Sequence, residues 1–153
     1  MAARIQNPAM LIPDAAKPTQ DMWAAAHKGG VSGKVLELIH LRVSQINGCS
    51  FCVDSARRSA EQRGESMEKL FAVSAWHEAP YFSDAERAAL ALAESVTRIA
   101  DDPDPVPDAI WDEAARHYDE RGLAALLLAI ATVNVWNRCN VAVRQPAGEM
   151  AWA

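Results

Sequence analysis

The chain has little of what marks a secreted, membrane or nucleic-acid-binding protein. Only three of its 153 residues are cysteines, and Cys139 has no partner by spacing, which argues against the disulfide framework of a small secreted domain. It has no basic run to track a phosphate backbone, and 20 acidic against 15 basic residues leave a net charge of −5, so no nucleic acid is expected as a partner. Residues 1–18 hold no apolar run like a signal-peptide core, and no later run reaches the length of a bilayer span. No membrane association is expected, and the chain reads as cytoplasmic. Alternating apolar and polar strands are missing too. Alanine-rich stretches with apolar residues three and four apart recur from Asp21 onward, so the fold class is all-α, a single-domain helical bundle of about six to seven helices.

Proline and glycine divide that bundle. Pro8, Pro13 and Pro18 make residues 1–18 an extended N-terminal arm, residues 19–145 form the helical domain, and residues 146–153 a C-terminal tail. A first helix is predicted over 19–28, stopped by Gly29-Gly30, and a second over 32–46, with a stripe of Val35, Leu38, Ile39 and Val43 ended by Asn47-Gly48. A third opens at Cys49 and runs to Gly64, carrying Val53, Ala56 and Ala60 inward. A shorter helix follows over 66–76. Ser83 and Glu86 form a capping box that opens a helix over 84–100, and Pro107-Asp108 starts another to about Glu120. Residues 123–131 are wholly apolar, so the last helix, to about Val143, belongs in the core or at a subunit interface.

The chemistry-bearing feature is Cys49-Ser50-Phe51-Cys52 at a helix start. Two thiols at this spacing can close into a disulfide and reopen, and a helix N-terminus lowers the pKa of a nearby thiol. The motif alone also fits half of a zinc site or two core residues, although no second C-x-x-C or H-x-x-x-H supports zinc. Glu37 lies twelve residues before Cys49 on the preceding helix, and the Asn-Gly turn makes the two helices an antiparallel pair. At ~1.5 Å per residue, Glu37 stands roughly 15 Å below the turn and Cys52 only about 5 Å beyond it. They do not touch directly, so a proton passing between them needs a relay. By position alone Cys49, nearer the helix end, is the better candidate for the low-pKa thiolate.

The run Glu37-Leu-Ile-His-Leu-Arg-Val-Ser-Gln-Ile-Asn-Gly-Cys-Ser-Phe-Cys52, with Phe71-Ala-Val-Ser-Ala-Trp76 and Phe82-Ser-Asp-Ala-Glu-Arg-Ala-Ala-Leu-Ala91 downstream, resembles the alkylhydroperoxidase-D-like core of the carboxymuconolactone decarboxylase superfamily over roughly residues 20–145. The resemblance implies an all-helical subunit in a homotrimer or homohexamer and a thiol-dependent peroxidase. Cys52 would attack a small hydroperoxide, Cys49 would resolve the sulfenic acid as a disulfide, and Glu37 would accept the proton. A dithiol such as lipoamide, or a thioredoxin-like system, would reduce the disulfide, and no cofactor is expected. The family's usual histidine four residues after the second cysteine is here Ala56. His40, three residues after Glu37, is the candidate substitute, its alternative being a polar residue on a partly exposed face. The superfamily name also suggests a lactone decarboxylase, which has no need of two thiols, and Ala56 keeps open a redox sensor or oligomeric scaffold that has lost turnover.

Other residues read more simply. Cys139 is read as a small buried apolar residue, its alternative being a third thiol in the site, and His27, His77 and His117 lie scattered over separate helices. Arg42 is read as pairing with an acidic surface residue. The five tryptophans, Trp23, Trp76, Trp111, Trp136 and Trp152, are read as core or interface anchors, with Trp76 and Phe51 as candidate walls beside the cysteines.

Overall fold

A computed structural model describes residues 2–148. Among them are eight α-helices and no strand: α1 (Pro8–Leu11), α2 (Ala16–Ala26), α3 (Gly33–Ile46), α4 (Ser50–Gln62), α5 (Met67–Ala72), α6 (Asp84–Thr97), α7 (Asp108–His117) and α8 (Glu120–Val143). The all-α expectation holds, with one helix more than expected. The extra one lies in the arm, which is helical where an extended chain was expected. Asn7 caps α1 by accepting from the Ala9 N–H, and Pro8 sits at the first helical position, where its missing donor costs nothing. For the same reason α2 starts at Ala16, earlier than the sequence suggested: Pro18 falls in its first turn, where amides have no intrahelical partner. Of the C-terminal tail, residues 149–153, Trp152 among them, lie outside the described residues.

Helix α3 is the axis of the molecule. Nine of its fourteen residues are buried, far more than one apolar stripe requires, because cores lie on two sides of it. On one side Leu36, Ile39 and Val43 pack with Leu92, Leu126, Ile130 and Val133 from α6 and α8. On the other Leu38 and Leu41 pack with Ala56 and Ala60 of α4 and with Leu70, Trp76 and Leu90. Each large aliphatic side chain so buried contributes about 1.5–3 kcal/mol. Gly29 allows the chain after α2 to press against Ala125 of α8, where an added Cβ would collide.

The apolar α8 is long and apolar enough to cross a membrane, but half of that apolar window is buried within the fold, as befits a core helix. The capping box forms as read: Ser83 Oγ accepts from the Glu86 N–H at 3.3 Å and Glu86 Oε2 from the Ser83 N–H at 2.8 Å.

Candidate active site

The turn between α3 and α4 sets the site. Gly48, at φ +68°, is the left-handed residue that ends α3, and the Gly48 N–H reaches Gln45 O at 3.3 Å while the Cys49 N–H reaches Ser44 O at 3.0 Å. This double return is a Schellman closure. It fixes Cys49 as the N-cap of α4, its Sγ accepting from the Cys52 N–H at 3.3 Å. The turn is tied to the last helix as well: Asn47 Nδ2 donates to Asn134 Oδ1 at 3.0 Å and to Asn137 Oδ1 at 2.9 Å, and Asn137 Nδ2 donates to Ser44 Oγ at 3.1 Å.

Cys49 and Cys52 are joined as a disulfide with Cα atoms 5.3 Å apart. Both residues are 2% exposed, with Asn140 and the end of α8 over the helix start, so nearness to the helix end does not leave Cys49 the more open of the two. Each borders a cavity of its own. Cys52 lines one of about 240 Å³ whose walls include Phe51, Ser55, His40, Trp136, Cys139 and Asn140, closed by Asn7–Ala9 and the start of α2. Cys49 lines another of about 390 Å³, with Ser50, Arg144 and Gln145. Asn140 lines both, and its Nδ2 donates to Cys52 Sγ at 3.2 Å.

Glu37 is buried at 2% exposed and touches neither cysteine. Its Oε1 accepts from Ser59 Oγ at 2.7 Å and from Arg63 Nε at 3.3 Å. Its Oε2 lies 3.5 Å from His40 Nδ1 and has no hydrogen bond among the described residues. Burial alone pushes the Glu37 pKa up. Contacts with His40 and Ser59, and the charges of His40 and Arg63, outweigh it and hold the carboxyl below its ordinary value. His40 is buried rather than partly exposed, wedged between the rings of Trp23 and Trp136 at centroid distances of 5.5 and 5.9 Å. It meets Glu37 at one ring nitrogen and borders the Cys52 cavity, so the structure brings Cys52 and His40 to one cavity, with Glu37 behind His40 and Cys49 joined to Cys52.

Ala56 faces the second core, fully buried against α3 and α5 neighbours. The carboxylate is instead held by Ser59 and Arg63, one and two turns further along α4. Sequence reading missed Ser59, although Cys52, Ser55 and Ser59 follow the three- and four-residue spacing of one helix face. Cys139 is corrected from a buried apolar residue to a half-buried thiol in the Cys52 cavity. Asn7 and Asn140 were also missed, and only the fold brings them together. Of the two candidate walls, Phe51 lines the cavity. Trp76 does not: its Nε1 donates to Glu94 at 2.8 Å, and Arg42 pairs with the same Glu94 at 2.6 Å, partly buried rather than on the surface.

The model of the carboxymuconolactone decarboxylase family matches residues 13–95. Uncharacterized protein YdfG of Bacillus subtilis is 35% identical over 87% of this chain and 89% of its own length. Uncharacterized protein YnjA of Escherichia coli is 34% identical over 82% and 67%. Among solved structures, ATU0492 from Agrobacterium tumefaciens, a protein of unknown function with a provisional assignment as the antioxidant defence protein AhpD, superposes with a TM-score of 0.89 at 31% identity, covering 97% of this chain and 100% of that one. The debrominase Bmp8 shares the fold, with a TM-score of 0.78 at 24% identity over 91% and 73%.

Proposed function

Since the chain belongs to the carboxymuconolactone decarboxylase family, we propose that it is a thiol-dependent peroxidase in which the Cys49–Cys52 pair reduces hydrogen peroxide or a small organic hydroperoxide. The observation that carries this reading is that Cys52, bonded to Cys49, shares one cavity with His40, whose ring nitrogen faces the buried Glu37 carboxylate behind it. In the reduced protein the Cys52 thiolate attacks the nearer peroxide oxygen and the O–O bond breaks. The proton given up by the Cys52 thiol passes to His40, which the Glu37 carboxylate orients, and from His40 to the departing alkoxide or hydroxide. The Cys49 sulfur then displaces water from the Cys52 sulfenic acid and closes the disulfide. A dithiol, of the lipoamide or thioredoxin-like class, reopens it.

The two cavities divide the labour: the hydroperoxide meets Cys52 in one, and the reductant reaches Cys49 from the other. Lactone decarboxylation is the weaker reading, because among the described residues no arginine or lysine lines the Cys52 cavity to hold a carboxylate. Turnover needs a reducing compartment, and we assign the cytoplasm. The working form is taken to be a homotrimer or homohexamer, with Leu128, Val135 and Val141 exposed along α8 as apolar contact surface.

A steady-state peroxidase assay with hydrogen peroxide and cumene hydroperoxide, run against dihydrolipoamide and thioredoxin as reductants, tests the reading. Cys52-dependent turnover supports it. A rate equal to that of Cys52→Ser with every pair leaves a sensor or scaffold.

A further inference from the structure

The arm that closes the Cys52 cavity also sets the polarity of a hydrogen-bond chain ending on the sulfur. Asn7 and Asn140 are 133 residues apart in sequence, and both are buried, at 6% and 7% exposed. Asn7 Oδ1 accepts from the Ala9 N–H at 2.9 Å. A backbone amide can only donate, so the Asn7 side chain has one orientation, with its Nδ2 toward Asn140. Asn140 must then offer Oδ1, which accepts at 2.7 Å, and its Nδ2 is left pointing at Cys52 Sγ, 3.2 Å away. The helix cap at the start of α1 thus decides which end of a distant amide faces the redox sulfur. The arm is held in place for this task, with Arg4 N–H donating to Val143 O at 2.9 Å and Arg4 Nη1 to Ala142 O at 3.2 Å.

We propose that Asn140 is a positioning residue that stabilises the Cys52 thiolate through its side-chain N–H, and that Asn7 is the residue that keeps that amide turned the right way. The proposal rests on the peroxidase reading only in naming Cys52 as the attacking sulfur. In the reduced state the Asn140 N–H donates to the thiolate, and a hydrogen bond to a charged acceptor is the stronger kind. The same donor stabilises Cys52 as the leaving sulfur when a reductant thiolate attacks Cys49: the new S–S bond forms at Cys49, the Cys49–Cys52 bond breaks, and the electron pair stays on Cys52. The titratable groups facing Cys52 are few. His40 lies on α3, Cys139 on α8 and Cys49 beside it on the turn, and among the described residues no Asp, Glu, Lys or Arg lines its cavity, so an amide dipole there acts with little competition.

Asn7→Asp separates this role from a structural one. Aspartate still caps α1 with one carboxylate oxygen, but its other oxygen can only accept. Asn140 then turns its Nδ2 toward position 7 and its Oδ1 toward the sulfur. In a Cys49→Ser, Cys139→Ser background Cys52 is the sole thiol, and the serine that replaces Cys49 keeps the N-cap of α4. There the pH profile of iodoacetamide alkylation reports the thiolate directly, without any peroxide turnover. Asn140→Ala is expected to move the midpoint upward by about one pH unit, and Asn7→Asp to move it at least as far. In the Asn140→Ala background Asn7→Asp is expected to add nothing, because the amide through which it acts is gone. An unmoved midpoint in Asn7→Asp overturns the proposal. So does a shift that persists in the double variant, which would assign the effect to the added charge alone. The readout is independent of peroxidase activity, so failure of either reading is seen separately.

Discussion

Ser59 donates its hydroxyl to Glu37 at 2.7 Å across the α3–α4 contact. Burying a carboxylate costs free energy that its hydrogen bonds must offset, and here a serine one turn beyond Ala56 supplies one of them, to Oε1. Ser59→Ala leaves Oε1 with the longer Arg63 contact alone. It is expected to lower stability by about 1–3 kcal/mol, read as a shift of the urea midpoint with unchanged slope.

Placing at position 56 the histidine that the resemblance implies is not expected to build a relay in this chain. Ala56 is fully buried among Leu38, Leu41 and their neighbours, so a larger polar ring there overpacks an apolar core. Ala56→His is expected to lose about 1–3 kcal/mol and to gain no peroxidase rate. Thermal unfolding and stopped-flow oxidation of the one variant check both statements.

His40 stands between Glu37 and the Cys52 cavity, where the proposed reaction needs a proton relay. His40→Ala is expected to slow peroxide-driven oxidation of the thiols about 10²-fold, toward the level of Cys52→Ser. An unchanged rate would leave His40 as an anchor for Trp23 and Trp136.

Glu94 carries the clearest pH dependence away from the site. Burial raises its pKa, but the Trp76 and Arg42 hydrogen bonds and the Arg42 and His77 charges hold it below the ordinary 4.5. A carboxyl lowered in the folded state adds stability that is fully present above its unfolded pKa and is lost as pH falls through the folded value. Glu94→Gln, which keeps an acceptor for Trp76 but loses the charge facing Arg42, is expected to be less stable than wild type by about 1–3 kcal/mol near neutral pH. The gap should close between about pH 5 and pH 2. Denaturant midpoints over that range provide the check.

The sequence disclosed those features whose signals are local. The capping box at Ser83, the Asn47-Gly48 stop and the cysteine pair at a helix start all depend on residues within a few positions of one another, and each stands where it was read. The arm did not disclose itself. Asn7-Pro8 is a helix-start signal, but three prolines outweighed it, and what stabilises the short turn is its docking on Asn140 and Val143 at the far end of the chain. The active-site wall on α8 was hidden for another reason. A helix apolar on every side shows no face, so nothing in the pattern around Cys139 and Asn140 told which side met the cysteines. Helix α3 was read through one stripe; its second buried side, with Leu41, emerged only with the packing of α4, and the burial of His40 only with Trp23 of α2 and Trp136 of α8.

The most direct measurement is the mass of the tryptic peptide Val43–Arg57, which holds both Cys49 and Cys52, after reduced protein meets one equivalent of cumene hydroperoxide. The account predicts a loss of two hydrogens within the turnover time, none in Cys52→Ser, and full recovery with dihydrolipoamide. A peptide that keeps both thiols free after exposure to peroxide would contradict it.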